Sequence, residues 1–312
     1  MVVQLRPTKL NEFKGKRDIK DNLSIYIKSC LIQNKSLDHC LFYGLPGTGK
    51  TSLAYIIANE LKRKIRIVQG NSIQRNIDII NLVLTLNELD ILFIDEIHAI
   101  NPACIEMLYA IMEDLVIDIT LGKDFNSKVT RLKVPPFTLI GATTLLGKIP
   151  QPLEDRFGIV INLKTYDEQS IIEILKDSMT KLDLQLNDKE ILLLAQNSKG
   201  IPRNANRLIC RVKDFRTANV KFSIKHILRK LQIIDRGVNM DDFSYLKSIE
   251  QSKRALGLKT ISQITGIDQY TIETKIEPFL ISNCYVEKSI QGRVLTDKGR
   301  AFINQHQENV SN

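Results

Sequence analysis

The eight residues Gly44–Thr51, GLPGTGKT, constrain this chain more than any other segment of its 312 residues. They fit the pattern G-x-x-x-x-G-K-[ST], and each residue type answers a demand of wrapping a triphosphate. Glycines at 44, 47 and 49 can take left-handed backbone angles and bring their N–H groups against phosphate oxygens. Those amides run into a helix predicted to start near Lys50, whose N-terminus also favours anions. Lys50 is placed to reach the β- and γ-phosphates, and the hydroxyl of Thr51 to coordinate Mg²⁺. The apolar run His39–Tyr43 before the loop reads as a buried strand, and Ser52–Lys62 has helical periodicity.

A second motif, ILFIDE at Ile91–Glu96, strengthens the first. Four apolar residues without alternation suit a parallel strand buried on both faces, and open α/β sheets hold ligands at the C-terminal ends of such strands. Asp95 would hold Mg²⁺ through its water shell, as a small hard cation prefers, and Glu96 would polarise the attacking water. The pair of motifs implies a nucleoside-triphosphate hydrolase that uses Mg²⁺.

Beyond these motifs, the apolar segments alternate up to about Tyr166. Candidate strands are Cys40–Tyr43, Ile65–Gln69, Ile91–Asp95, Phe137–Ala142 and Ile159–Leu163, with helices between several of them. That order predicts an α/β fold with a doubly wound parallel sheet. Between Val116 and Val134 two alternating arms flank a polar tip, Gly122–Ser127, which reads as a hairpin beside the sheet. Residues 167–237 have helical spacing over Asp167–Leu182, Asp188–Ser198, Pro202–Asn219 and Ile224–Ile234. From about Met240 the pattern is three helices, including Thr260–Thr265 and Asp268–Ser282. Two strands follow, Tyr285–Lys288 and Arg293–Thr296, around Gln291-Gly292. That is a winged-helix arrangement, which predicts contact with duplex DNA. The last residues, Asn304–Asn312, read as a frayed tail. We therefore expect a nucleotide-hydrolysing domain at 1–166, an all-α lid at 167–237 and a winged-helix head at 238–312.

Composition narrows the class of partner. The net charge of +9 points to a polyanion, and nucleic acid is the usual one. Lys and Arg outnumber Asp and Glu by 21 to 17 in residues 1–166 and by 14 to 9 in 167–239, but stand at 9 to 9 in 240–312. Contact of the last segment with DNA must then come from a few placed bases. Five cysteines without C-x-x-C spacing read as reduced thiols with neither a disulfide framework nor a zinc site. With no apolar segment of membrane-spanning length and no leader pattern, the expectation is a cytoplasmic protein.

Two arginines complete the site. Arg156, in PLEDRFG, follows the fourth strand; we expect it at the ligand end of the sheet, yet far from its own phosphate loop, and so acting on a neighbouring subunit's nucleotide. Arg203, in GIPRNANR, follows Pro202 at a helix start and could clamp the γ-phosphate. Thr143 and Thr144, closing LIGATT, match a nucleotide-sensing layout.

Taken together, these motifs resemble the AAA+ ATPases, and among them the RuvB-type branch-migration family. The resemblance runs from Leu5-Arg6-Pro7 through LFIDEIH, MED, PPFTLIGATT, DRFGI and GIPRNANRL to GRV near the end. It implies a hexameric ring that uses ATP and Mg²⁺ to pull duplex DNA at Holliday junctions, docked on a RuvA-like junction-binding protein, with a junction resolvase as a further partner. By position, it implies that Leu5 and Arg6 line an adenine pocket and that Gly47, Lys50, Thr51 and Ser52 contact phosphate or metal. It also assigns nucleotide contacts to Glu113, Asp114, Leu115 and Tyr166, a finger role in trans to Arg156 and a lid-sensor role to Arg203. Lys288 and Arg293 would contact DNA, and Val116–Val134 would dock the partner. The chain departs from the family at Leu45 (usually proline), at Ala99 and Leu145 (usually arginine), at Lys288 (arginine) and in the less glycine-rich hairpin tip. Lys288 keeps the charge but loses the planar fork. Clamp loaders and replication initiators combine similar parts, and a nucleotide-gated DNA-binding regulator is the non-enzymatic alternative. An intact Glu96 and Arg156 argue against the last.

Overall fold

The computed structural model describes residues 5–121, 128–220, 222–252 and 254–310. By packing, the chain forms two units, Met1–Ile174 with Ile201–Arg203, and Leu175–Gly200 with Asn204–Asn312.

In the first unit the elements run α1 (Arg17–Gln33), β1 (Cys40–Tyr43), α2 (Lys50–Leu61), β2 (Ile65–Gln69), α3 (Asn76–Val83), β3 (Ile91–Asp95) and α4 (Pro102–Asp114). There follow β4 (Val116–Leu121), β5 (Lys128–Lys133), β6 (Thr138–Thr143), the single turn α5 (Gln151–Glu154), β7 (Ile159–Asn162) and the start of α6 (Glu168–Leu182). Five strands make a wholly parallel sheet in the order β2-β3-β6-β1-β7. Successive side chains point to opposite faces of a strand, and here both faces are covered. Leu41, Leu92, Ile94 and Leu139 join one core with α3 and α4; Cys40, Phe42, Ile91, Phe93, Ile140 and Ala142 join a second with α1 and α2. This is why ILFI carries no polar alternation. The expected hairpin is present as antiparallel β4 and β5, with Arg131 ion-paired to the facing Asp118 at 2.7 Å. Its tip, Gly122–Ser127, lies outside the described residues.

In the second unit come the rest of α6, then α7 (Asp188–Gln196), α8 (Pro202–Thr217, whose first two residues belong with the first unit) and α9 (Ile224–Lys230). The head follows: β8 (Ile233–Asp235), β9 (Val238–Asn239), α10 (Met240–Ser252), α11 (Leu258–Thr265), α12 (Gln269–Thr271), α13 (Glu277–Ser282), β10 (Val286–Ser289), β11 (Gly292–Leu295) and α14 (Asp297–Val310). Between α12 and α13 the chain stays helical but widens into a π-turn over Ile272–Ile276.

Two expectations fail here. The helix predicted over Ile224–Ile234 stops at Lys230: Gln232 turns left-handed at φ 60°, and Ile233–Asp235 becomes a strand paired with β9. The apolar spacing continued through Ile234, but that side chain packs on the head core instead. Nor is the end of the chain frayed through its described length. α14 continues to Val310, anchored by buried Phe302 and Ile303, with His306 beside Asp235 at 3.6 Å. Among the described residues no helix is long and apolar enough to cross a membrane.

Candidate functional site

The phosphate loop leaves the C-terminal end of β1, between β6 and β7. Gly47 sits at φ +83°, and a Cβ there would come within 2.7 Å of the Arg203 Cβ. A side chain at 47 is thus excluded both by backbone angle and by space. Arg203 N donates to Gly47 O at 3.4 Å, so the predicted lid arginine does reach the loop. Gly49, also left-handed, precedes α2, whose first turn carries Lys50, Thr51 and Ser52. The Lys50 ammonium donates to Gly44 O at 2.8 Å and Leu45 O at 3.1 Å. Burial pushes its pKa down, Glu96 and Asp95 pull it up, and Arg203 adds to the lowering. These four charged groups therefore share one electrostatic neighbourhood. Tyr166 OH donates to Thr48 O at 3.2 Å, and Lys16 lies over the Tyr166 ring at 4.5 Å. The N-terminal segment is tied to α2 by Asn59 Nδ2, which donates to Thr8 O, and by Leu10 N, which donates to Glu60. Leu5 is half-buried and Arg6 exposed; among the described residues neither makes a hydrogen bond to the loop.

Asp95 ends β3 beside the loop, and Glu96 turns left-handed at φ 50°. Non-glycine residues in that region are uncommon and cluster where function holds them. The bend is crowded, since a Cβ on Gly70 would lie 2.3 Å from Glu96 O. The Glu96 carboxylate accepts from Thr144 N at 3.2 Å and Thr144 Oγ1 at 3.0 Å, so two residues singled out separately in the sequence are brought together. One further residue joins it. His98 Nδ1 lies 2.9 Å from Thr143 Oγ1 and 3.2 Å from Glu96 Oε2. No local pattern in the sequence marks His98, because only the 3₁₀ turn Ile97–Ala99 folds it back over the strand ends.

The glycine loop, Lys50 and Arg203 meet here at a helix N-terminus, an arrangement that suits a triphosphate, and Thr51 and Asp95 carry hard oxygens of the kind that could hold Mg²⁺.

Arg156 lies elsewhere. It ends the turn after α5, three residues before β7 begins, and in a parallel sheet all strands begin at one edge. The expectation that it stands at the ligand end of the sheet is therefore corrected: it stands at the opposite edge. β1 and β7 are each four residues long, so at about 3.3 Å per residue the edges are roughly 13 Å apart. There Arg156 donates to Glu113 Oε2 at 2.8 Å and Pro152 O at 2.7 Å, and stacks over Tyr109 at 4.5 Å. Its buried Nε finds no hydrogen-bond partner among the described residues. Glu113, Asp114 and Leu115 share this edge, because α4 runs back across the sheet; His39, at the start of β1, bonds Met112 O at 3.2 Å. None of the three is brought to the chain's own phosphate loop.

In the head, β10 and β11 form the wing, with Lys288 facing Arg293. Both reach inward to Glu277, which is 1% exposed. Lys288 Nζ is 2.6 Å from Glu277 Oε2, Arg293 Nε is 2.8 Å from Oε1, and Tyr245 OH donates to Oε1 at 3.0 Å. Burial alone would raise the Glu277 pKa, but hydrogen bonds from Arg293, Lys288 and Tyr245 outweigh it and hold the carboxyl below its usual range. With 14% of its side chain exposed against 49% for Lys288, Arg293 faces the protein and Lys288 is the cation nearer solvent.

Comparison with known proteins covers the whole of this architecture. Residues 5–163 match a family model described as "Holliday junction DNA helicase RuvB P-loop domain", 166–235 one described as "RuvB AAA lid domain", and 235–304 one described as "RuvB C-terminal winged helix domain". The Holliday junction branch migration complex subunit RuvB of Ureaplasma urealyticum serovar 10 is 50% identical over 305 residues, 97% of each chain. That of Mycoplasma genitalium is 41% identical over 304 residues, 97% of this chain and 99% of the relative. Among solved structures, the Thermotoga maritima RuvB K64R mutant superposes with a TM-score of 0.84 at 34% identity, covering 96% of this chain and 98% of the other. With sequence, domain order and fold in agreement from one end to the other, this chain belongs to the RuvB family of P-loop ATPases.

Proposed function

We propose that this protein is an ATP-driven motor that migrates Holliday junctions, working as a homo-hexamer on duplex DNA with a RuvA-like junction-binding partner. The observation that carries the reading is the placement of Arg156. It shares an edge with Glu113, Asp114 and Leu115, across the sheet from Lys50, Asp95 and Glu96. A single copy therefore holds two halves of a hydrolytic site that face opposite ways, and a neighbouring copy completes each.

Within that site Gly47, Gly49, Lys50, Thr51 and Ser52 hold the phosphates, and Thr51 with Asp95 holds Mg²⁺. A bound Mg²⁺ would supply charge neutralisation to the phosphates. Glu96 orients the attacking water, with Thr144 and His98 fixing its carboxylate, while Arg203 clamps from the same side. Arg156 and Glu113–Leu115 approach from the next copy; Leu5, Arg6 and Tyr166 lie on the nucleoside side. Residues 1–166, 167–237 and 238–312 act as ATPase core, lid and head. In the head Lys288 meets the phosphate backbone and Arg293 braces the wing behind it. Backbone contacts ignore sequence, as tracking requires. The hairpin β4–β5 docks the junction-binding partner, a resolvase follows on the same junction, and the assembly works in the cytoplasm.

The test is ATP-dependent dissociation of a synthetic four-way junction, with and without a RuvA-like protein. A motor dissociates it only with hydrolysable ATP. Hydrolysis with no dissociation under either condition would transfer the assignment to a clamp loader, initiator or regulator.

A further inference from the structure

The second unit contains a buried ion pair that no step above uses. Asp242, 1% exposed, caps the start of α10: its Oδ2 accepts from Asn239 N at 3.0 Å, while its own N–H donates to Asn239 Oδ1 at 2.8 Å. The same Oδ2 receives the Lys199 ammonium at 2.6 Å. Lys199 comes from the turn after α7, at φ 58°, and its ammonium also lies 4.3 Å from the centre of the Phe279 ring in α13. One lid side chain thus touches two helices of the head. A second tie runs beside it, where Gly237 N donates to Asn197 Oδ1 at 3.0 Å, and Asn197 is itself nearly buried. There is no slack at this junction: a Cβ on Gly237 would lie 2.7 Å from Lys199 Cγ.

The lid turn is stiff as well. Buried Ser198 accepts from Gly200 N through its hydroxyl at 3.2 Å and from Asn204 Nδ2 through its carbonyl at 3.2 Å. Four residues after Lys199 the chain reaches Arg203, whose backbone bonds the phosphate loop. Burial holds the Asp242 carboxyl above its usual range despite the pull of Lys199. A pair placed where desolvation weighs so heavily is a poor device for stability alone, and registry is the better-attested use of such pairs.

We propose that Lys199 and Asp242 form a positioning lock that makes lid and head move as one body, so that displacement of Arg203 at the nucleotide reaches the DNA-binding wing. The inference rests on the motor reading above. Lys199 touches neither nucleotide nor DNA; it acts through Asp242 and Phe279.

The test compares the full-length protein with three variants. Lys199→Met keeps the aliphatic stem on Phe279 and removes the charge. The double substitution Lys199→Met with Asp242→Asn leaves no unpaired buried charge and so separates loss of the lock from loss of folding. Lys199→Arg is the conservative rescue. Dyes on exposed Cys284 of the head and on Lys189→Cys of the lid, in a Cys210→Ser background, report the lid–head distance in single molecules. The lock predicts one narrow distribution for the parent and for Lys199→Arg, and a broadened one for both other variants. It also predicts that DNA-free ATP hydrolysis stays within about twofold of the parent, while junction dissociated per ATP hydrolysed falls roughly tenfold. A narrow distribution in both charge-removed variants, or an unchanged ratio, overturns the lock. Failure of the parent itself to dissociate junctions sinks the motor reading, whereas the distance measurement still decides the lock.

Discussion

At its C-terminal edge the ATPase sheet presents backbone. The glycine loop, the left-handed Glu96 and the Thr144 N–H lie there, and Lys50 and Glu96 are held by backbone groups: Lys50 by two loop carbonyls, Glu96 by the Thr144 N–H. At its N-terminal edge the same sheet presents side chains knitted to one another: Arg156 to Glu113 and over Tyr109, and His39 between Leu139 N at 2.9 Å and Met112 O at 3.2 Å. The difference is one of tolerance. Backbone geometry at the first edge admits few residue types, whereas the second depends on which side chains meet across it.

The sharpest break of this contrast is Lys50→Ala, which should abolish nucleotide binding at the first edge; unchanged ATP affinity by calorimetry would refute the assignment. Next, Arg156→Ala should leave binding intact and lower hydrolysis by about 10³–10⁵, the range for a lost arginine finger. Mixing Arg156→Ala with Glu96→Gln copies should then restore part of the activity, because some interfaces pair an intact finger with an intact base. No recovery in confirmed mixed rings would mean that the two edges never meet. Glu113→Ala should cost less, roughly tenfold or under in hydrolysis, since an ion pair exposed on one side positions Arg156 without supplying its charge. A loss as deep as that of Arg156→Ala would make Glu113 a direct participant.

The smallest effect is one of pH. Burial holds the His39 pKa below its ordinary 6.5, against the Met112 hydrogen bond and Asp38. The unfolded chain therefore takes up the proton first, so stability is full above about 6.5 and erodes as pH falls toward the depressed value. Thermal midpoints should decline over that interval, and His39→Gln should flatten the decline. An unchanged slope would show that His39 does not set the pH dependence of stability.

Much of the first edge was legible because its chemistry is local in sequence. GLPGTGKT and ILFIDE are each continuous, and the absence of alternation in ILFI reflects the two cores that cover the sheet. The second edge was only half legible. Arg156 and Glu113 could be named, but their meeting depends on α4 running back across the sheet, so Arg156 was assigned to the wrong end. His98 escaped because a three-residue turn places it. The helix expected through Ile234 failed where apolar spacing persisted across a left-handed Gln232. In the head, the wing strands were foreseen, yet nothing local marks Glu277 as the buried acceptor that turns Arg293 inward. Contacts between residues far apart in the chain leave no mark on any short window of it.

The separation of Lys50 from Arg156 across one sheet has a genetic consequence. If neighbours complete each other's sites, copies join front to back, and such polar association ends only by closing on itself. A defective Arg156 would then spoil the adjacent copy's turnover rather than its own. Alleles altered there should act dominantly in cells that also make intact protein.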